Sequence, residues 1–434
     1  MITHFLHGEF NGQLNAMEDP RDKDACRYAM SHMVWLGILL FACHMGSREE
    51  LGRNARNANF AEALNWLADT CEDTASCADN LGRVMENLDP DQLEEVAAWV
   101  TGTLIRSKAL DRFRIFDKYF LVVVDGTDGA TFEERHCAQC VASEGREGGP
   151  FKHKVLLARL VTDCGLTLPV AVEFIENPDG PYDKQDCERK AFNRIVPKMK
   201  KFFPRLPICL GGDSLFADQG VMRTCRLNGW MFIFTFKEGK TPKLFAEALS
   251  KAARSGKSLP GRGDDGSRRT VRWARNLTHE GNACHAVFMD EWDKDGGKHS
   301  WAWITSISPR DADTIWEIVK GGRLRWKIEN ETNNTFKNGG YEMEHVYGGN
   351  GHALKNFFQL LQLAHMFNEL VARGDLLRKL TPTPDGEGAG FKEVFVTVGH
   401  FARCLLESLR NSPVHAIEAA LKAIGRFQVR FSSA

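Results

Sequence analysis

Tyr119-Phe-Leu-Val-Val-Val-Asp125 is the stretch that decides the fold: an apolar run of aromatic and β-branched residues that ends on an acid. Runs of this kind read as strands. A second run, Leu206-Pro-Ile-Cys-Leu-Gly-Gly-Asp213, also ends on an acid. A third acid, Glu329, sits in Arg325-Trp-Lys-Ile-Glu329, which reads as helix. Two carboxylates at strand ends and a third on a later helix can converge on divalent ions. Hard oxygen ligands hold Mg²⁺ while leaving positions open for water and phosphate, which suits phosphodiester chemistry.

Around the first run the pattern is a mixed sheet. Residues 119–125 form a first strand, and 152–162 and 166–175 a hairpin across Asp163-Cys-Gly165. A helix over 187–203, basic on one side, leads to a strand over 206–211, a helix over 218–227 and a strand over 230–236. The order strand, strand, strand, helix, strand, helix, strand predicts an α/β fold with RNase H-like topology, in which three antiparallel strands precede the alternating part. Residues 237–308 interrupt it as a β-rich insertion, with strands at Ala283-Cys-His-Ala-Val-Phe-Met289 and Ser300-Trp-Ala-Trp-Ile-Thr-Ser-Ile307. Within it, residues 251–275 carry eight basic and two acidic residues. Arg268, Arg269 and Arg272 of this basic arm are candidate phosphate contacts, whose contribution would weaken with salt; a solvated loop is the alternative.

Helical regions flank this core. The sequence divides into a helical region over 1–117, a core over 118–236 and 309–375 split by the insertion at 237–308, and a helical C-terminal region over 376–434. Apolar helical segments lie at 27–45 and 60–70. Asp89-Pro-Asp-Gln-Leu-Glu-Glu95 opens another, with an Asp cap, proline at the first helical position and acids in the first turn. The N-terminal region is either a small DNA-binding domain or a helical support. Beyond the insertion, one helix leads through Trp316 toward Gly321, and a second carries Arg325 to Lys337. Residues 353–372 are apolar enough to require burial. Asp385-Gly-Glu-Gly-Ala-Gly390 reads as a loop before a final helical region over 391–425.

Composition narrows the class. The chain has 434 residues, 43% hydrophobic and 26% charged, with a formal net charge of -1. It is long enough for two or three domains, and it is not a uniformly basic nucleic-acid binder, although local basic patches remain open. Twelve cysteines without regular spacing read as reduced thiols of a cytoplasmic protein. The start lacks the pattern of a signal peptide, and the apolar stretch from Met33 to Cys43 is about half the length of a membrane span.

The pieces Val124-Asp-Gly-Thr127, Gln185-Asp-Cys-Glu-Arg189, Gly212-Asp-Ser-Leu215, Arg325-Trp-Lys-Ile-Glu-Asn-Glu331, Lys337-Asn-Gly-Gly-Tyr341 and Glu344-His345 occur in this order. Over about residues 118–370 the chain resembles the DDE-type transposases of bacterial insertion sequences. The nearest branch is the one with a β-rich insertion before the catalytic glutamate, which contains the fourth insertion-sequence family. The resemblance implies that Asp125, Asp213 and Glu329 are a catalytic and metal-binding triad for Mg²⁺, with Mn²⁺ as a substitute. It implies cleavage of double-stranded DNA at terminal inverted repeats and joining of 3′-hydroxyls to target DNA. It also implies a homodimer on DNA, in a bacterial cytoplasm and at the nucleoid when DNA-bound. The alternatives are a domesticated DNA-binding protein without catalysis and an endonuclease without strand transfer.

The same family carries Tyr-x₂-Arg-x₃-Glu-x₆-Lys on the glutamate helix. Arg325 matches and shares a helix face with Glu329, where it either binds phosphate or pairs with that glutamate. Gly322 stands in place of the tyrosine. Phe336 stands in place of the lysine, with Lys337 one residue late, about 80° round from Glu329 in a regular helix. A local bulge would restore its direction. Trp326 either packs in the core, the plainer reading, or stacks on a displaced base. Asp128 and Asp218 are nearby acids that match the family positions less well, and Asp186, Cys187 and Glu188 read as capping and positioning residues. His136-Cys-Ala-Gln-Cys140 has the Cys-x₂-Cys spacing of a zinc chelate, which His153 or His136 would complete; ordinary thiols at Cys137 and Cys140 are the alternative.

Overall fold

The strand predicted at 119–125 runs further, from Phe120 to Phe132 (β1), in the computed structural model. The structure describes residues 9–22, 24, 26–143, 150–178, 184–263, 265–381, 388–424 and 430–431. Extension has a simple cause: Val141–Ala142 (β2) and Phe151–Val161 (β3) follow, and β3 pairs antiparallel with β1 as far as Phe132, across an irregularity between Asp128 and Thr131. Asp125 is therefore inside a strand rather than at its end. Thr167–Ile175 (β4) completes the predicted hairpin with β3.

Two parallel strands follow. Ile208–Gly212 (β5) lies beside β1 and Met231–Thr235 (β6) beside β5. The helices Glu188–Phe202 and Gln219–Leu227 make the connections. Pairing of β1 with β5 stops at Val123 and Gly211. Continued two residues further, that register sets Asp125 beside Asp213, just past the end of β5.

The block 237–308 does not leave the sheet. It opens with a helix, Pro242–Arg254, that the sequence reading lacks. Leu259–Arg262 (β7), Arg268–His279 (β8), Asn282–Trp292 (β9) and Lys298–Thr305 (β10) then form an antiparallel run. Because β10 pairs with β6, the result is one ten-stranded mixed sheet in the order β2-β3-β1-β5-β6-β10-β9-β8-β7, with β4 also on β3. The fold is mixed α/β.

Helices cover the sheet. Pro90–Arg106 begins as predicted, with Asp89 capping and Pro90 at the first position. It packs on the outer edge of β4, where the Glu94 carboxylate accepts the free Val172 N–H at 2.7 Å and Thr101 donates to the Pro169 carbonyl at 2.7 Å. Those bonds satisfy an edge that would otherwise leave its polar groups unpaired. The helix Ala353–Arg373 is buried along most of its length. Two of its buried amides fasten it to its neighbours: Asn356 donates to the carbonyls of Met85 and Leu88, and Asn368 to that of Ala42 and to the Tyr341 hydroxyl. The N-terminal helices share one hydrophobic core with the sheet. The C-terminal helices include Val398–Asn411, which packs on Ala58–Ala68. Of the expected loop at 385–390, residues 385–387 lie outside the described ones. Among the described residues no helix is long and apolar enough to cross a membrane.

Candidate functional site

Asp125, Asp213 and Glu329 line one cleft of about 680 Å³. Asp125 and Asp213 come from adjacent strands. Glu329 comes from the helical segment after the insertion, and β10 supplies the facing wall with Ser300, Trp301, Ala302 and Trp303. Asp213 is held by its own turn, its carboxylate accepting the Leu215 N–H at 2.8 Å. Asn333 donates to Asp125 at 2.9 Å. The sequence reading missed Asn333; its position four residues beyond Glu329 on a helical segment was the available signal.

The predicted helix from Arg325 to Lys337 is interrupted. After Trp326–Ile328, residues Glu329–Asn333 form one wide π-helical turn before Asn334–Asn338 resumes the α-helix. A π-turn takes up one extra residue, so Lys337, eight residues on, points where the seventh would in a regular helix, within about 20° of Glu329. Lys337 accordingly lines the cleft, where it also pairs with Glu344 at 3.2 Å. Phe336, in the family's lysine position, is instead fully buried against His365.

The wide turn has a dedicated support. His365 is fully buried, and burial keeps its imidazole neutral, well below its usual pKa. Its Nε2 lies 3.0 Å from the Glu331 carbonyl inside the turn, and its Nδ1 is 3.5 Å from the guanidinium of buried Arg159. A neutral ring with Nε2–H donating to Glu331 and Nδ1 facing Arg159 fits both contacts. Thr332 and Thr167 share a further hydrogen bond of 2.8 Å. Replacing His365 by Leu takes a partner from the Glu331 carbonyl and from a guanidinium N–H of buried Arg159. Loss of about 2–4 kcal/mol is expected in denaturant unfolding.

Charge is concentrated around Asp125. Its pKa is pushed up to about 7, chiefly by burial; Arg325 opposes the rise, while Glu188, Asp213 and Glu329 add to it. Glu188 is a fourth acid that the sequence reading took for a positioning residue. Any Cβ at Gly126 would overlap its carboxylate, so the glycine is what admits it beside β1. Burial, Asp213 and Asp128 raise the pKa of Glu188, against the pull of Lys154. Asp186 does hold position, accepting the Glu176 N–H and pairing with Arg194 at 2.6 Å, but Cys187 makes no side-chain cap. Asp128 and Asp218 have other partners. Asp128 lines the cleft but pairs with Lys152 and Lys154, and Asp218 caps Gln219–Leu227 and pairs with Arg189.

Arg325 is largely buried, lies 3.9 Å from Glu329, and has its guanidinium 4.4 Å from the centre of the Trp326 ring. Trp326 is not a core residue: it is 46% exposed and lines the cleft, with the Arg325 guanidinium over its ring. Gly322 also lines the cleft, and a Cβ there would overlap the buried Trp303 indole. The aromatic wall thus comes from β10, which explains why position 322 holds no tyrosine. Gly322→Ala is expected to cost about 1–3 kcal/mol of stability by thermal melting, the overlap outweighing the gain in helix propensity.

The candidate arginines of the insertion stand apart from the cleft. The supposed basic arm is structured, ending the helix Pro242–Arg254 and then forming β7 and β8. On β8, Arg269 pairs with Glu291 at 2.5 Å and Arg272 with Asp290 at 3.1 Å, while Arg268 lies over the Trp292 ring. Two of the three charges are thus offset within the sheet. Neither protein-family models nor curated proteins give a match to this chain.

Proposed function

We propose that this protein is a DNA transposase with an RNase H-like core, which cuts the ends of its element and joins their 3′-hydroxyls to target DNA. One observation carries the reading. Three acids separated by 88 and 116 residues line one cleft together with Arg325, Trp326 and Lys337. The strand order supports it: β4, β3 and β1 are antiparallel, and β5 and β6 continue beside β1 in parallel.

The donor set is of the oxygen kind that Mg²⁺ takes, although among the described residues only Cys137, Cys140 and His153 bring their ligand atoms within 4.8 Å of one another. It is made of carboxylate oxygens: Asp213 and Glu329 line the cleft with Asp125, and Glu188 lies near enough to act on Asp125. Asp125, Asp213 and Glu329 would hold the ions. Divalent ions bound there supply polarisation of the attacking water or 3′-hydroxyl and stabilisation of the leaving oxygen. The chain's own groups do the rest. Asn333 orients Asp125, Arg325 and Lys337 hold phosphates of the bound strand, and exposed Trp326 offers a face on which a base can stack. Two copies would be needed to bring two inverted-repeat ends together.

The test incubates the full-length protein with Mg²⁺ or Mn²⁺, labelled inverted-repeat DNA and a target plasmid. Joined products support the reading. Cutting without joining would make the protein an endonuclease, and binding without cutting under either metal would make it a domesticated DNA-binding protein.

A further inference from the structure

Away from the acidic cleft, Cys137 and Cys140 meet His153 across the segment that follows β1. The two sulfurs are 3.5 Å apart, and the His153 Nε2 is 3.5 Å from Cys137 Sγ and 3.3 Å from Cys140 Sγ. A disulfide would bring the sulfurs to about 2.05 Å, so these are two separate thiols. Three soft or borderline ligand atoms in mutual contact have a familiar geometry. Around a tetrahedral ion with Zn–S about 2.3 Å and Zn–N about 2.0 Å, the S···S edge is about 3.8 Å and the S···N edge about 3.5 Å. The observed triangle is close to that face.

The backbone is arranged for the same purpose. A tight turn with Cys140 N–H donating to the Cys137 carbonyl at 3.3 Å points both thiols to one side. The turn is fastened from outside. Asn177 donates its side-chain amide to the Cys140 carbonyl at 2.8 Å and its N–H to the Gln139 carbonyl at 3.0 Å, and Arg135 also reaches the Cys140 carbonyl at 3.1 Å. Cys140 is buried, and Cys137 and His153 are half-buried. His136 stands beside the cluster, its ring stacked on Phe132 and centred 6.3 Å from that of His153.

We propose that Cys137, Cys140 and His153 bind one Zn²⁺ ion that pins the segment after β1 to β3. Two thiolates and a neutral imidazole balance the charge of the ion. Oxygen-preferring Mg²⁺ would not compete for such a set, just as zinc would not be selected by the carboxylate cleft. The role is structural: the ion ties the far ends of β1 and β3, the strand pair that carries Asp125, and its binding energy adds to folding.

The test measures zinc in the full-length protein purified in metal-free buffer. About one zinc per chain is expected, released in step with modification of two thiols by a mercurial reagent. The double variant Cys137→Ser, Cys140→Ser should contain almost none, whereas Asp213→Asn should keep it. Replacement by Co²⁺ should give the intense absorption of tetrahedral thiolate coordination, a readout on the unaltered chain that stands even if the double variant fails to fold. A wild-type protein that binds neither zinc nor cobalt through thiolate, or a folded double variant that keeps its zinc, would overturn the proposal.

Discussion

Glu329→Gln is expected to leave the protein folded and to reduce DNA cutting and joining by about 10³-fold or more, equivalent to ~4 kcal/mol of transition-state stabilisation. Folding should survive because the Glu329 side chain is half exposed and its pair with Arg325 is long, at 3.9 Å. A control lies two residues on. Glu331 sits in the same wide turn, but it pairs with Lys327 at 3.3 Å and with Arg373 at 2.7 Å. Glu331→Gln should therefore lose about 1 kcal/mol of stability and keep most of its activity. Quantified cleavage of labelled ends, with unfolding curves of both variants, checks the pair. Equal activity of Glu329→Gln and wild type would remove Glu329 from the chemistry.

Asp125→Asn is expected to stabilise the metal-free protein above pH 7 while abolishing its response to Mg²⁺. In the folded chain Asp125 keeps its proton up to about pH 7, against an ordinary value of 3.8, mainly because it is buried and also because Glu188, Asp213 and Glu329 surround it. Between those values the folded state binds more protons than the unfolded one. The contribution of Asp125 is thus full below about pH 4 and is lost as pH rises through 7. At pH 8 the variant should exceed the wild type by on the order of 1–4 kcal/mol, a difference that closes as pH falls toward 4. Buried His32 and half-buried His44, both held down to about 4 by desolvation, work in the opposite sense, losing stability as pH falls below about 6.5. They are common to both proteins and cancel in the comparison. Added Mg²⁺ should raise the melting temperature of the wild type through ligand linkage and leave that of the variant nearly unchanged. Melting curves across pH, with and without Mg²⁺, test both parts.

Much of the sheet was legible because its strands are short apolar runs bounded by turns, and β3 to β6 fall within two or three residues of their expected bounds. The end of β1 was not legible. Beyond Asp125 the strand reads Gly-Thr-Asp-Gly, and it persists because β3 pairs with it, which is a tertiary effect. The helix Pro242–Arg254 was masked by a basic, glycine-bearing neighbourhood. Asp125 and Asp213 were legible from their places at the ends of apolar runs, and Glu329 from its helical setting. The approach of Glu188 to Asp125 was not legible, since it depends on the absence of a side chain at Gly126. The displaced Lys337 posed a register question that involves a buried residue far along the chain: His365 Nε2 lies 3.0 Å from the Glu331 carbonyl inside the wide turn. The exposure of Trp326 and the pairing of the β8 arginines were not legible for a common reason. Composition gives the kind of side chain but not which face of the element meets solvent or a counter-charge.

Anomalous diffraction from Mn²⁺-soaked crystals decides whether Asp125, Asp213 and Glu329 form one divalent-cation site. Mn²⁺ is expected to bond carboxylate oxygens of Asp125 and Asp213, with Glu329 completing the site, at about 2 Å, the contact distance of an ion of this size class. The same soak of Asp213→Asn crystals should lose that density. Ordered Mn²⁺ elsewhere with the cleft empty, or density at the cleft that survives Asp213→Asn unchanged, would contradict it.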